Sequence, residues 1–376
     1  LLWKHWPRQV ITIEHPGPRA LFSYLHRPLI WKPTDNRFNR HSNYWESVQI
    51  ARMIASYGYA VDAIDLFDSA FQPQAPYEVI FDTSTNLQRL SPLIPNAIKL
   101  YHMTGSYGRF QNAAEGRRAA EFEERTGVRY SLKRAVKDPE ATDRSMQLAD
   151  RCSLIGNLTT LSTFPEEVRS KTTLVTVSSS PGHIKPPSAL VPASREFLWF
   201  FGAGAVHKGL DLVLEAFRKM PGSTLNVVGS VDWEKDFMEA YGGDLRGRAN
   251  VRYHGSLDPS GERYRRVVER CLAFIAPSCS EGISPATTTV MQTGLYPIIS
   301  RETGVTLPEG HGTYLERCTI DEIVQACQDV VSRSEDNLRK DIEACQTFAL
   351  HRYSRDAFTS DMRSYLAAAI QRPNDL

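Results

Sequence analysis

Pro277-Ser278-Cys279-Ser280-Glu281-Gly282-Ile283-Ser284-Pro285 is the stretch on which the reading of the fold turns. It follows Leu272-Ala273-Phe274-Ile275-Ala276, an apolar run short enough for a strand buried on both faces. Pro285 stands where a helix can begin and Gly294 where it can end. Strand, small-residue turn, acid and helix start, in that order, place Glu281 at the carboxyl edge of an open α/β sheet, where such sheets bind ligands. The amides of Gly282, Ile283 and Ser284 would face whatever Glu281 holds, and a helix N-terminus favours phosphate there. The plainer alternative is a strand-to-helix connection with one solvated acid.

Upstream, Phe197-Leu198-Trp199-Phe200-Phe201 reads as a buried strand, and Gly202-Ala203-Gly204-Ala205-Val206-His207-Lys208-Gly209 as a loop. Leu210, Val213, Leu214 and Phe217 then form the apolar face of a helix. The loop fails the dinucleotide fingerprint, because His207 stands at the third glycine, and it contains no Gly-Lys-Ser/Thr triplet. A charge-assisted contact from Lys208 to a diphosphate would contribute about 1.5–3 kcal/mol. Otherwise Lys208 is a solvated lysine on a tight turn. Strands at Leu225–Val228, Val251–Tyr253 and Pro297–Ser300 continue the rhythm, with helices near Trp233–Tyr241 and Arg263–Cys271. The segment from Thr319 reads as helical, its last helix near Arg355–Ile370.

The first half shows the same alternation. Strands are expected at Ala20–Leu25, Tyr59–Leu66, Tyr77–Phe81, Ala97–His102, Cys152–Ile155 and Leu174–Val177. Ile50, Met53, Ile54 and Tyr57 give a helical face that Gly58 stops, and further helices lie near Asn112–Arg125 and Asp143–Asp150. Strands alternating with helices mean a mostly parallel, doubly wound sheet. His102 ends its strand before Met103-Thr104-Gly105-Ser106-Tyr107-Gly108, where it could donate to a substrate hydroxyl or simply cap the strand. Arg40-His41-Ser42-Asn43 offers donors, with helix capping by Ser42 or Asn43 as the expected role. Between the halves, Ser180 to Ser194 contains four prolines and no period, the mark of a semi-rigid linker.

A length of 376 residues argues for two domains, and 41% hydrophobic with 23% charged residues for a globular chain. A net charge of +1 gives no general attraction to nucleic acid. The six cysteines show no metal spacing and read as reduced core residues of a cytoplasmic protein. No apolar run is long enough for a transmembrane helix, and the start is too short and polar for a signal peptide. Trp3, Lys4, Trp6 and Arg8 would form a satellite cluster or touch a membrane surface.

Taken in order, Gly202 to Gly209 with its Leu-Asp-Leu-Val-Leu-Glu-Ala-Phe helix, Leu225-Asn226-Val227-Val228-Gly229, Asn250-Val251-Arg252-Tyr253-His254-Gly255, Pro277-Ser278 to Glu281-Gly282, and Gly294 resemble one family. It is the retaining GT-B glycosyltransferases of the glycogen-synthase-like type (family 4, "glycosyl transferases group 1"). The resemblance implies an α/β protein of two Rossmann-like, doubly wound parallel-sheet domains facing across a cleft. It places an acceptor-binding domain at 1–182, a linker at 183–194, a donor-binding domain at 195–350 and a C-terminal helix at 351–376 that could cross back to the first domain. It further implies transfer of a sugar from a nucleotide-diphosphate sugar to a glycan, lipid-linked sugar or protein, with retention, without metal and with no cofactor beyond the donor. Catalytic positions carried over are Lys208 for the diphosphate, Glu281 for the sugar hydroxyls and His102 facing the acceptor. Donor-binding positions are Gly202, Gly204, Gly229, Gly282, Ile283, Ser284 and Thr289, with Gly255, Ser256 and Leu257 along the base. Thr289 replaces the family's second glutamate and Ala203 its arginine, which leaves open an inactive site or one where Arg301 or a basic residue of the first domain supplies the charge. Closure about the linker, work in polysaccharide biosynthesis and a place at the inner face of the membrane complete the expectation. The rival is a non-catalytic homologue that binds a sugar or a partner protein.

Overall fold

The computed structural model describes residues 9–39, 41–179 and 182–370. Trp3, Lys4, Trp6, Arg8, Arg40 and Ser180 lie outside the described residues. The first domain's strands are β1 (Ile11–Ile13), β2 (Arg19–Tyr24), β3 (Ala60–Asp65), β4 (Val79–Asp82), β5 (Ile98–Met103), β6 (Arg151–Ile155) and β7 (Thr172–Val175). They form one sheet in the order β1-β3-β2-β4-β5-β6-β7. Its helices are α1 (Ser42–Ser56), α2 (Asn86–Leu90), α3 (Gly108–Thr126), α4 (Pro139–Leu148), α5 (Leu158–Ser162) and α6 (Glu166–Arg169). β1 runs antiparallel to β3, whereas the other pairs are parallel. Three residues are too few to show a period, so β1 leaves no trace in the sequence pattern. α1 starts at Ser42 behind His41, which makes no side-chain cap. The expected capping by Ser42 or Asn43 is therefore corrected: the chain enters the helix one residue early and Ser42 is already inside it.

The second sheet is ordered β10-β9-β8-β11-β12-β13, all parallel. Its strands are β8 (Glu196–Phe200), β9 (Leu225–Val228), β10 (Val251–Gly255), β11 (Cys271–Ala276), β12 (Tyr296–Ser300) and β13 (Thr313–Leu315). Its helices are α7 (Leu210–Arg218), α8 (Lys235–Gly247), α9 (Glu262–Val268) and α10 (Pro285–Thr293). After them come α11 (Ile320–Ser332), α12 (Glu335–Arg352) and α13 (Arg355–Ile370). β11 is buried along its whole length, as its unbroken apolar run requires, and each large side chain there contributes about 1.5–3 kcal/mol. Cys271 opens β11 rather than closing the helix before it, which stops at Val268.

The chain crosses between the domains twice outside the linker. α13 leaves the second domain and packs on α1, with Phe358 edge-on to Trp45 at 5.9 Å. α3 and the segment after it cross in the other direction. Phe122 and Tyr130 join the second domain's core, Phe122 standing 6.4 Å from Phe237 and 5.8 Å from Tyr241. Arg125 pairs with Glu215 at 3.0 Å and with buried Asp211, and Lys133 with Asp236 at 2.7 Å. These pairs bridge the two domains on that side.

Candidate active site

Loop 201–209 leaves the carboxyl end of β8 and feeds α7. Gly204 and Gly209 take the left-handed backbone (φ +88° and +69°) that this reversal needs. A Cβ on Gly209 would stand 2.8 Å from the carbonyl oxygen of Pro277, so the loop lies directly on the turn after β11. The Lys208 amide donates to the Gly204 carbonyl (2.8 Å) and Trp199 Nε1 donates to the Lys208 carbonyl (3.2 Å). These bonds aim the Lys208 side chain inward, across the Phe201 ring at 5.2 Å, where its ammonium pairs with the Glu281 carboxylate. Only 8% of one side chain and 10% of the other remain exposed. Burial, then the Arg134 guanidinium, holds the Lys208 pKa well below its ordinary value.

Glu281 is held from both sides. Cys279 N–H donates to the His207 carbonyl (3.0 Å) and His207 Nε2 donates to the Ser280 carbonyl (2.6 Å), tying the two loops together. Burial, with Lys208 beside it, takes the His207 pKa down to about 2, so this imidazole is a neutral strut. Ser284 caps α10 through its side chain, and Gly294 ends that helix at φ +93°. Gly282 presses on the first domain. A Cβ there would lie 2.5 Å from the Ile155 carbonyl oxygen and 2.8 Å from that of Thr104. Thr160 Oγ1 donates to the Gly282 carbonyl (3.0 Å), and the Ser106 and Ser280 hydroxyls bond across the same seam.

The amides of the glycine-rich loop are occupied from within. Gly204 N–H donates to Glu234 Oε1 (2.7 Å) and Ala205 N–H to Glu234 Oε2 (3.0 Å), while the Tyr130 hydroxyl of the first domain donates to Oε2 (3.1 Å). Glu234 is fully buried, and burial raises its pKa against the pull of those donors. Arg134, four residues beyond Tyr130, passes over the loop: a Cβ on Gly204 would lie 2.8 Å from Arg134 Cγ.

A lysine and a glutamate meeting at the carboxyl edge of a parallel sheet, on loops from two neighbouring strands, suit an anionic ligand that also carries hydroxyls. Residues 195–333 match the model of glycosyl transferases group 1. The match spans most of the second domain. Among solved structures, the fold is shared with sucrose-phosphate synthase from Thermosynechococcus elongatus (14% identity, 94% of this chain and 100% of that one, TM-score 0.65). It is shared as well with Anabaena HepE in complex with UDP and glucose (12%, 94% and 100%, TM-score 0.59) and a glycosyltransferase of Rickettsia africae (11%, 94% and 98%, TM-score 0.55). Among curated proteins, none matches the chain. The architecture of the two facing domains is GT-B.

Within the second domain the structure brings Lys208, Glu281, Gly204 and Gly282 together, and it treats the other expected positions differently. The Ser284 amide donates to the Thr303 carbonyl (2.9 Å), which removes it from the amides expected to face a ligand, because residues 301–304 fold back under the turn. Gly202 is exposed with open space beside it. Gly229 is required by packing, since a Cβ would lie 2.5 Å from the Phe201 carbonyl oxygen. Gly255 is left-handed (φ +67°), Ser256 is exposed and Leu257 half-buried. A cavity of about 380 Å³ begins just beyond them, lined by Asp258, Ser260, Gln292, Ser179, Gly182 and Arg355. Thr289 and Ile283 are buried at 8% and 5%. His102 is fully buried: Nδ1 lies 2.8 Å from Ser153 Oγ, the ring packs near Phe81 and Tyr24, and Nε2 has no protein partner. Burial lowers its pKa to about 3, leaving it neutral at physiological pH. Arg301 is engaged with Glu316 at 2.8 Å and is not a spare cation for the cleft. Glu234 escaped the sequence reading, although it follows a strand end as Glu281 does. Its partners are distant in sequence and no local pattern names them.

Among the described residues no helix is long and apolar enough to cross a membrane. All six cysteines are free and buried.

Proposed function

We propose that the chain transfers a sugar from a nucleoside-diphosphate sugar to a glycan, lipid-linked or protein acceptor, retaining the anomeric configuration. The observation that carries this is the buried Lys208–Glu281 pair at the sheet edge of the group 1 glycosyltransferase domain. Neither charge is comfortable alone at that depth. A donor offers each a better partner: its diphosphate takes Lys208, and its sugar hydroxyls donate to Glu281. Binding thus separates the pair and leaves Lys208 to stabilise charge that develops on the leaving diphosphate. His102 Nε2, if Ser153 donates to Nδ1, carries the proton and can donate to a sugar or acceptor oxygen once the domains part. Protein cations rather than a metal carry the leaving group in this scheme. The neighbours solved with UDP or UDP-glucose make uridine the first base to try. Work at the inner face of a membrane in polysaccharide assembly is the setting we propose.

One observation favours the second reading, a non-catalytic binder: the loop amides are already satisfied by Glu234. Calorimetric titration with UDP, GDP, ADP, CDP and dTDP tests the donor class. One diphosphate should bind, and Lys208→Ala should weaken it roughly 10- to 100-fold. A folded protein that binds none of the five loses the transferase reading.

A further inference from the structure

We infer that Arg134, delivered by the first domain, holds the donor's diphosphate beside Lys208. The inference rests on the transferase reading above. Lys208 is neutralised by Glu281, His207 is a neutral imidazole, and Glu234 and Glu115 add buried carboxylates nearby. A diphosphate brings about two further negative charges into this low-dielectric seam, and burying them uncompensated is prohibitive. One lysine released from Glu281 does not balance them.

The surrounding cations are engaged at least in part, Arg118 leaving its buried Nη1 without a partner, and Arg134 is the least engaged of them. Arg118 donates to the Pro277 carbonyl (2.9 Å), Arg125 pairs with Asp211 and Glu215, Lys133 with Asp236 and Arg301 with Glu316. Among the described residues the Arg134 guanidinium makes no hydrogen bond or ion pair, yet its backbone is pinned. Its N–H donates to Glu115 Oε1 (3.0 Å) and Oε2 (3.1 Å), and its carbonyl accepts from Gln111 Nε2. The stem crosses the loop where Gly204 has no side chain. The head group's field reaches Lys208, His207 and His41. A fixed stem with a free fork is suited to bidentate capture of phosphate oxygens. Since Arg134 arrives from the first domain, diphosphate binding and domain closure become one event.

The test compares wild type, Arg134→Gln and Arg134→Lys by calorimetry. The probes are whichever of the five diphosphates binds wild type tightest and the matching nucleoside monophosphate. Arg134→Gln should weaken the diphosphate roughly 10- to 100-fold and the monophosphate less than about 3-fold, with Arg134→Lys between. The melting temperature should not move, because the guanidinium holds nothing in the free protein. Diphosphate affinity within about 3-fold of wild type in Arg134→Gln, or equal losses for both nucleotides, overturns the assignment alone. Failure of wild type itself to bind any diphosphate overturns the transferase reading and this assignment with it.

Discussion

Glu46 shows how much of this molecule's pH response one residue can hold. It lies fully buried in α1, where the Ser178 N–H (2.9 Å) and hydroxyl (2.8 Å) donate to Oε1, while Oε2 has no partner. Burial raises its pKa from 4.5 to about 7, against the Ser178 and Ser42 donors and the Arg355 charge. A carboxyl that prefers its proton when folded contributes stability that is complete below about pH 4.5 and is lost as pH climbs through about 7. Glu46→Gln keeps the neutral form at every pH. Its melting temperature should therefore gain on wild type between pH 4.5 and pH 7 and run parallel above; a gap that ignores pH would contradict the burial argument. Residues such as this were illegible in the sequence, where Glu46 is one acid in a helical run. Lys208 and Glu281 were legible because each sits on a short turn between an apolar strand and a helix, a local signal. Glu234, Glu115 and Arg134 depend on partners from other segments, and no local spacing records them.

The elements themselves were mostly open to reading. Fully buried parallel strands announce themselves as short apolar runs, and β8, β9 and β11 stand close to where those runs put them. Three-residue edge strands, β1 and β13, are too short to leave a period. How turns meet across the seam was also hidden, and two glycines separate the effects. Gly282→Ala drives a methyl into two backbone carbonyls of the first domain, so it should cost about 1–3 kcal/mol in urea unfolding. Gly243, inside α8, meets nothing within 4 Å, and Gly243→Ala should stabilise by about 0.5–1 kcal/mol. If the two changes shifted the midpoint in the same direction, the close approach at Gly282 would not be what holds the turn.

At the scale of the whole molecule, the linker was expected to act as the hinge, and two further crossings turn out to join the halves. α13 binds the first domain to the end of the chain, and Arg125 of α3 with Tyr130 of the segment after it binds the second domain. Opening the cleft for a donor has to release the ion pairs of α3 and the contacts at Gly282, which links substrate entry to a cooperative motion. The central claim is that this closed seam is a place of sugar transfer, with Glu281 acting on the sugar rather than on the nucleotide. The most direct measurement is release of nucleoside diphosphate from a panel of sugar nucleotides, by wild type and by Glu281→Gln, alongside calorimetric affinity for the free diphosphate. One donor should be turned over by wild type, with Glu281→Gln lowering kcat/KM by at least about 100-fold (~2.7 kcal/mol) and diphosphate affinity moving less than about 3-fold. Tight diphosphate binding with no turnover of any donor would contradict transfer and leave a nucleotide-binding protein.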